Sequence, residues 1–262
     1  MCGTCGCTKP LLRAPSSGQS APVARIALNV DFEERRERLE HAVIDKNDQL
    51  AARNRDAFRA GSLLAINFMS SPGSGKTTLL ERTIERLVGA GSPPVFVIQG
   101  DQATDNDATR VRRAGARAVQ INTGQGCHLD ASMIERAVLE LSPSPGSLLA
   151  IENVGNLVCP AMFDLGEGYR VAVISVTEGD DKPLKYPHMF RSSDLVLINK
   201  LDLLEHCEFD LEACCANIAA MNPRAEILVL SARRGDGMQA WIDWLDAKMT
   251  RVAGPQATES RP

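Results

Sequence analysis

Ala65-Ile-Asn-Phe-Met-Ser-Ser-Pro-Gly-Ser-Gly-Lys-Thr-Thr-Leu-Leu80 decides the fold of this chain. An apolar run over residues 63–69 enters a loop of small residues, and a helix-like pattern leaves it. That order predicts strand, phosphate loop, helix. Gly73, Ser74 and Gly75 carry little or no side chain, so the backbone can curl and aim successive N–H groups at a polyphosphate. The dipole at the start of the following helix adds to this. Lys76 would reach the β- and γ-phosphates; the Thr77 hydroxyl would take one position on Mg²⁺, with Thr78 beside it. One departure is visible: the pattern G-x-x-x-x-G-K-S/T wants glycine at position 70, and this chain has Ser70. The competing reading is a Gly/Ser turn that ends by chance in Lys-Thr. The strand before it and the helix after it argue for the phosphate loop.

Composition sets the bounds. A chain of 262 residues, 44% of them hydrophobic, can bury a full core as one domain with tails. With 33 acidic and 29 basic residues its net charge is −4, which argues against nucleic acid or an anionic membrane as partner. No apolar run approaches the ~20 residues of a membrane span. The start, Met1-Cys-Gly-Thr-Cys-Gly-Cys7, lacks the basic-then-apolar order of a signal peptide. The eight cysteines are therefore expected to be reduced thiols of a cytoplasmic α/β protein, some of them metal ligands.

From the start, residues 1–30 read as a metal-binding tail followed by a flexible Pro/Ser-rich tether. Residues 31–60 turn strongly charged, with Leu39, Val43, Leu50 and Phe58 at helical spacing, which predicts one or two amphipathic helices. A solvated helix packed on the domain edge is the favoured reading, with a contact to another protein the alternative. Residues 61–252 form the nucleotide domain, and 253–262 a disordered tail. Within the domain, helices are expected over 78–90, 107–114, 130–141, 209–221 and 237–249. Short apolar runs at 95–98, 118–121, 148–152, 171–176, 195–198 and 227–230 read as buried strands. Strands alternating with helices mean an α/β fold of the P-loop NTPase kind. Its sheet would be mostly parallel, with helices on both faces and ligands at the carboxyl ends of the strands.

The second informative stretch is Leu195-Val-Leu-Ile-Asn-Lys-Leu-Asp202. A strand delivers Asn199, Lys200 and Asp202 in the N-K-x-D pattern of GTPases. One carboxylate, Asp202, can accept from both N1–H and the 2-amino group of guanine, and adenine offers neither donor. Lys200 would lie along the base and Asn199 would tie this loop to the phosphate loop. Ser231 and Ala232 follow the last strand and fit the segment that meets the guanine oxygen. In this order the set favours GTP over ATP.

The third GTPase element, usually Asp-x-x-Gly, is altered: Leu148-Leu-Ala-Ile-Glu-Asn-Val-Gly155 has Glu152 in the acidic position. Glu152 would approach Mg²⁺ directly or through water, and Gly155 would sense the γ-phosphate as the loop rearranges. Asp101, at the end of its own strand, is assigned to Mg²⁺ or to orienting the attacking water. Either carboxylate could instead cap a loop. No arginine finger or catalytic glutamine is placed by the sequence, which predicts slow intrinsic hydrolysis.

Cys2, Cys5 and Cys7 form C-x-x-C-x-C, three soft thiolates that suit Ni²⁺, Zn²⁺ or Cu⁺. A second set is Cys127 with His128, and Cys159, four residues past Gly155. Three ligands are one short of a closed tetrahedral site. A second subunit, water or a partner protein would complete it. Cys207, Cys214 and Cys215 read as packing residues.

The tail C-x-x-C-G-C resembles one known family, the hydrogenase nickel-incorporation GTPases of the HypB type. So do the phosphate loop over 70–78, Gly124-Gln-Gly-Cys-His-Leu-Asp130, Glu152-Asn-Val-Gly-Asn-Leu-Val-Cys-Pro160 and Asp181-Lys-Pro-Leu-Lys-Tyr-Pro-His-Met-Phe190. Ser70 and Glu152, unusual for GTPases at large, match that family's own pattern. The resemblance spans residues 1–7 and about 30–250. It implies a GTP-dependent nickel chaperone that dimerises, works with a small zinc-containing accessory protein and helps insert nickel into the hydrogenase large subunit. It also implies a tight nickel site at Cys2, Cys5 and Cys7, and a weaker Ni²⁺/Zn²⁺ site at Cys127, His128 and Cys159. Residues 8–30 hold no histidine, which argues against the nickel-storing linker many members carry. The rivals are a urease- or cobalamin-type chaperone GTPase, a regulatory GTPase with incidental cysteines, a small-molecule kinase and a metal store without turnover.

Overall fold

The computed structural model describes residues 23–89, 92–101, 106–124 and 126–253. The chain divides into two compact units, Met1–Val43 and Ile44–Pro262. The charged segment is one helix, α1 (Val23–Ala60), which begins inside the stretch expected to be tether. It is followed by β1 (Leu64–Ser70), α2 (Lys76–Gly89), β2 (Val95–Asp101), α3 (Asn106–Arg113) and β3 (Arg117–Asn122). Next come α4 (Ala131–Leu141), β4 (Leu148–Glu152), α5 (Cys159–Met162), β5 (Tyr169–Ser175), α6 (Lys182–Lys185) and α7 (Pro187–Arg191). The chain then runs through β6 (Leu195–Asn199), a 3₁₀ turn (Leu201–His206), α8 (Leu211–Met221), β7 (Glu226–Val229) and α9 (Met238–Ala253).

All strands pair in parallel in one sheet of order β3-β2-β4-β1-β5-β6-β7. The central strands read as unbroken apolar runs because both faces are covered. Alternate residues still point to opposite sides. Leu64, Ile66 and Phe68 of β1 pack with Leu80 of α2 and Trp241 of α9. Ala65 packs with Phe58 of α1 and Ile134 of α4. Met69 joins Phe190 of α7 and Ile218 of α8. Each fully buried Leu, Ile or Phe contributes about 1.5–3 kcal/mol relative to exposure. The Trp241 indole N–H donates to Thr83 Oγ1 at 2.8 Å, which satisfies a buried donor and fixes α9 on α2.

Three short helices lie where no regular structure was expected. Pro160, Pro183 and Pro187 each stand in the first turn of one of these helices. There the missing N–H is one that a helix leaves unpaired anyway. Because β1 is central, its carboxyl end carries the phosphate loop to the middle of the sheet edge. β2, β4 and β6 end on the same edge.

Candidate functional site

Between β1 and α2 the loop 71–75 turns with Gly73 at φ +77° and Gly75 at φ +96°. At Gly75 the reason is spatial as well as conformational: an added Cβ would lie 2.5 Å from Asn199 Nδ2. The loop floors a cleft of about 480 Å³ that also takes in Asp101, Asp107, Arg110, Glu152 and Gly155. Lys76 Nζ, almost wholly buried, donates to Ser70 Oγ at 2.5 Å. Ser70 thus occupies the place of the usual glycine with its own hydroxyl turned inward, accepting from the lysine and donating to the Ser71 carbonyl.

Glu152, at the carboxyl end of β4, accepts from Thr77 Oγ1 and from Gln99 Nε2, each at 2.7 Å. Burial pushes its carboxyl above the ordinary 4.5, with Lys76 opposing, while burial lowers the Lys76 ammonium from 10.5. Charged groups held this far from water are suited to a charged ligand. Ser74 Oγ and Gln99 Oε1 are buried in the cleft wall without a hydrogen-bond partner. Orphaned polar atoms beside a glycine cradle fit a polyphosphate and hydrated Mg²⁺.

A second cleft adjoins this one, lined by Asn199, Lys200, Asp202, Ala232 and Arg233. Asn199 joins the two: its Nδ2 donates to the Ser74 carbonyl at 2.9 Å and its Oδ1 accepts from Ala232 N at 3.0 Å. Lys200 stands at φ +61° and donates to the Gly73 carbonyl at 2.7 Å. Ser231 Oγ donates to Asp202 Oδ1 at 2.5 Å, which aims the carboxylate. Arg110 of α3 lies between the clefts and donates to Thr78 Oγ1 at 3.1 Å and Glu81 Oε2 at 2.7 Å.

Along the same sheet edge, Cys127, His128 and Cys159 converge, their candidate ligand atoms all within 4.8 Å of one another. Cys127 Sγ lies 2.8 Å from Cys159 Sγ and 3.7 Å from His128 Nδ1. The His128 ring stacks on Phe163 at 3.8 Å between centroids. Hydrogen bonding to Cys159, then burial, raises the Cys127 thiol, and burial lowers the His128 imidazolium below 6.5. These shifts favour the free-base histidine, ready to ligate, and a protonated Cys127 thiol whose proton a metal must displace. The loop after β4 belongs to both sites. An added Cβ on Gly155 would sit 3.1 Å from Pro72 of the phosphate loop. The Asn156 amide donates to the Cys127 carbonyl at 3.4 Å, and Cys159 follows.

A model of the CobW/HypB/UreG nucleotide-binding domain matches residues 64–229. The chain belongs to the CobW/HypB/UreG family. Within that family it is of the HypB type and a P-loop GTPase. It is 48% identical to the hydrogenase maturation factor HypB of Azotobacter vinelandii, over 94% of this chain and 92% of that one. To the Escherichia coli K12 HypB it is 56% identical, over 79% of this chain and 70% of the relative. The crystal structure of HypB from Archaeoglobus fulgidus superposes with TM-score 0.73 at 45% identity, covering 79% of this chain and all (100%) of that one. A Helicobacter pylori HypB structure in complex with nickel gives TM-score 0.73 at 39% identity, over 80% and 98% of the two chains.

Of the residues singled out from sequence in this HypB-type chain, Cys2, Cys5 and Cys7 lie outside the described residues. The others fall into the three groups just described. Sequence reading passed over Gln99, Asp107, Arg110, Asn156 and Phe163. Only the spacing of Asp107 and Arg110, one turn apart on a helix entering this edge, offered a signal. No described helix is long and apolar enough to cross a membrane.

Proposed function

We infer that this HypB-type protein is a cytoplasmic, GTP-driven maturation factor that passes nickel towards a nickel–iron hydrogenase. The observation that carries this is the shared loop: within residues 152–159 one segment supplies Glu152 to the phosphate cleft and Cys159 to the Cys/His cluster. A loop with both duties can make metal affinity depend on the nucleotide.

For hydrolysis, loop amides and Lys76 hold the β- and γ-phosphates and offset charge that grows on the transferring group. Thr77 and Glu152 would hold Mg²⁺, which neutralises phosphate charge when bound. Asp101 would help hold that ion or orient the attacking water. Asp202 reads guanine while Asn199 keeps the base loop in register with the phosphate loop. Turnover is slow, because Arg110 is held by Glu81 and no other arginine among the described residues lines the phosphate cleft.

Nickel is the cargo, held first by Cys2, Cys5 and Cys7 and passed through Cys127, His128 and Cys159, a site that also accepts Zn²⁺. Three ligands leave the shell open. A second copy, brought in by GTP, completes it, and a small zinc-containing accessory protein and the hydrogenase large subunit are the partners. The relative from Helicobacter pylori J99, 41% identical over 78% of this chain, bears the name hydrogenase/urease maturation factor. That name supports urease as a second recipient. The test is metal titration of the full chain with GDP, with a non-hydrolysable GTP analogue and without nucleotide. Inner-site affinity should differ between the nucleotide states, and Cys159→Ala should erase the difference. Equal affinity in all three states would sink the coupling.

A further inference from the structure

Two buried asparagines on α1, Asn47 and Asn54, hold together the backbone on both sides of the Cys127–His128–Cys159 cluster. Asn47 Oδ1 accepts from Ala131 N at 2.9 Å, while its Nδ2 donates to the Asp164 carbonyl at 2.8 Å. Asn54 Nδ2 donates to the Ala131 carbonyl at 2.9 Å and to the Leu165 carbonyl at 3.0 Å. Each amide therefore bridges the same two segments. Ala131 opens α4, three residues after His128. Residues 164–165 follow Phe163, the ring stacked on His128, and lie just past the Cys159 helix α5.

The seat is close as well as polar. Gly166, at φ +90°, approaches α1 so nearly that a Cβ would lie 2.6 Å from the Ala51 carbonyl. The Arg55 guanidinium pairs with Asp164 at 2.5 Å. Both asparagines are about nine-tenths or more buried, at 5% and 4% exposure. A buried amide hydrogen-bonded to two segments holds its partners far more firmly than apolar contact, which has no direction.

We propose that Asn47 and Asn54 are positioning residues for the Cys/His metal cluster, setting the distance between its Cys127–His128 half and its Cys159 half. Residues 44–60 of α1 then serve as a brace for cargo binding, beyond covering the sheet. Without the bridges the two segments are still linked by the His128–Phe163 stack, the Asn156 contact and the bond from Leu129 N to Asn153 Oδ1 at 3.2 Å, but nothing ties Ala131 to residues 164–165 through α1. This role presupposes that Cys127, His128 and Cys159 hold the metal.

The test uses the full chain with Cys2→Ser, Cys5→Ser and Cys7→Ser, titrated with Co²⁺ as a spectroscopic probe. Asn54→Ala should weaken Co²⁺ binding about ten-fold, the lower range seen for residues that orient metal ligands. It should also shift the thiolate-to-cobalt charge-transfer bands. Affinity for GDP should hold, since neither amide bonds to the phosphate or base loops. Asn47→Ala, which leaves the Asn54 bridge intact, should give the same change in smaller degree and carries the test if Asn54→Ala fails to fold. Parent-like Co²⁺ affinity and bands in the folded variants would overturn the proposal. So would metal and GDP affinity falling together, which marks general unfolding. A Cys159→Ala control separates the two levels: parent-like binding there would instead remove the ligand assignment itself.

Discussion

Thr77 Oγ1 donates to Glu152 Oε1 at 2.7 Å across 75 residues of sequence. A residue that follows the phosphate loop and the residue that opens the loop leading to Cys159 are thus in direct contact. If Thr77 and Glu152 hold Mg²⁺ as proposed, both oxygens would turn to the cation, so this bond should respond to the nucleotide state.

Glu152 gives a pH signature. Its folded-state pKa lies above 4.5, so the folded chain binds that proton more tightly than the unfolded chain does. The nucleotide-free protein should lose stability as pH rises from about 4.5 through the raised folded value. Glu152→Gln should flatten that part of the profile. Burial lowers the Lys76 ammonium from 10.5, so its contribution has the opposite sign, rising with pH towards 10.5. Thermal melts of both proteins across pH check this; parallel profiles would show that Glu152 is not the titrating group.

Lys76→Ala removes the buried ammonium from the phosphate cleft. GTP turnover should fall by at least about 10²-fold, the scale on which a charge-stabilising donor acts in a transition state. Single-turnover phosphate release measures it. Retained turnover would mean that hydrolysis draws its positive charge from elsewhere, with Arg110, which lines the same cleft, a candidate.

Asp202→Asn exchanges a carboxylate for an amide that can donate to the 2-oxo group of xanthine. Loss of the charge-assisted contact to guanine should weaken GTP binding by about 1.5–3 kcal/mol and favour XTP. Competition between the two nucleotides decides it. A variant that still prefers GTP would take base reading away from this residue.

Gly75→Ala tests the seam between the clefts. The left-handed backbone alone costs a non-glycine residue about 1–2 kcal/mol. The new methyl would also displace Asn199 Nδ2, 2.5 Å away, from the Ser74 carbonyl. GTP and GDP affinity should both drop by roughly ten-fold or more. Equilibrium binding with a fluorescent analogue would show it, and unchanged affinity would mean that Asn199 does not transmit loop geometry to the base.

Replacing Cys2, Cys5 and Cys7 together by Ala should abolish the tightest nickel binding and leave GTP turnover unchanged. Nickel affinity retained in that variant would place the tight site elsewhere in the chain.

The phosphate loop and Asn199-Lys200-Leu201-Asp202 are legible in the chain because their chemistry is local. Each motif is a strand end plus a few consecutive residues, and the strand brings its own loop to the right edge. The parallel α/β order follows for the same reason, since apolar runs separated by helices admit few other arrangements. Cys127, His128 and Cys159 were visible as candidates, but their distance was not.

What only the tertiary structure decided depends on contacts between segments distant in sequence. The strands are apolar on both faces, so their pattern carries no alternation to say which side meets which helix. The short helices that begin at or beside Pro160, Pro183 and Pro187 were not read from the sequence, because a helix of four or five residues carries no periodicity of its own. Asn47 and Asn54 look like ordinary polar residues of a charged helix. Their burial, and the bridges from Ala131 to residues 164–165, exist only because α1 packs where those two segments meet. A side-chain amide can use a carbonyl more than a hundred residues away (111 between Asn54 and Leu165), and nothing in the local sequence encodes that partner.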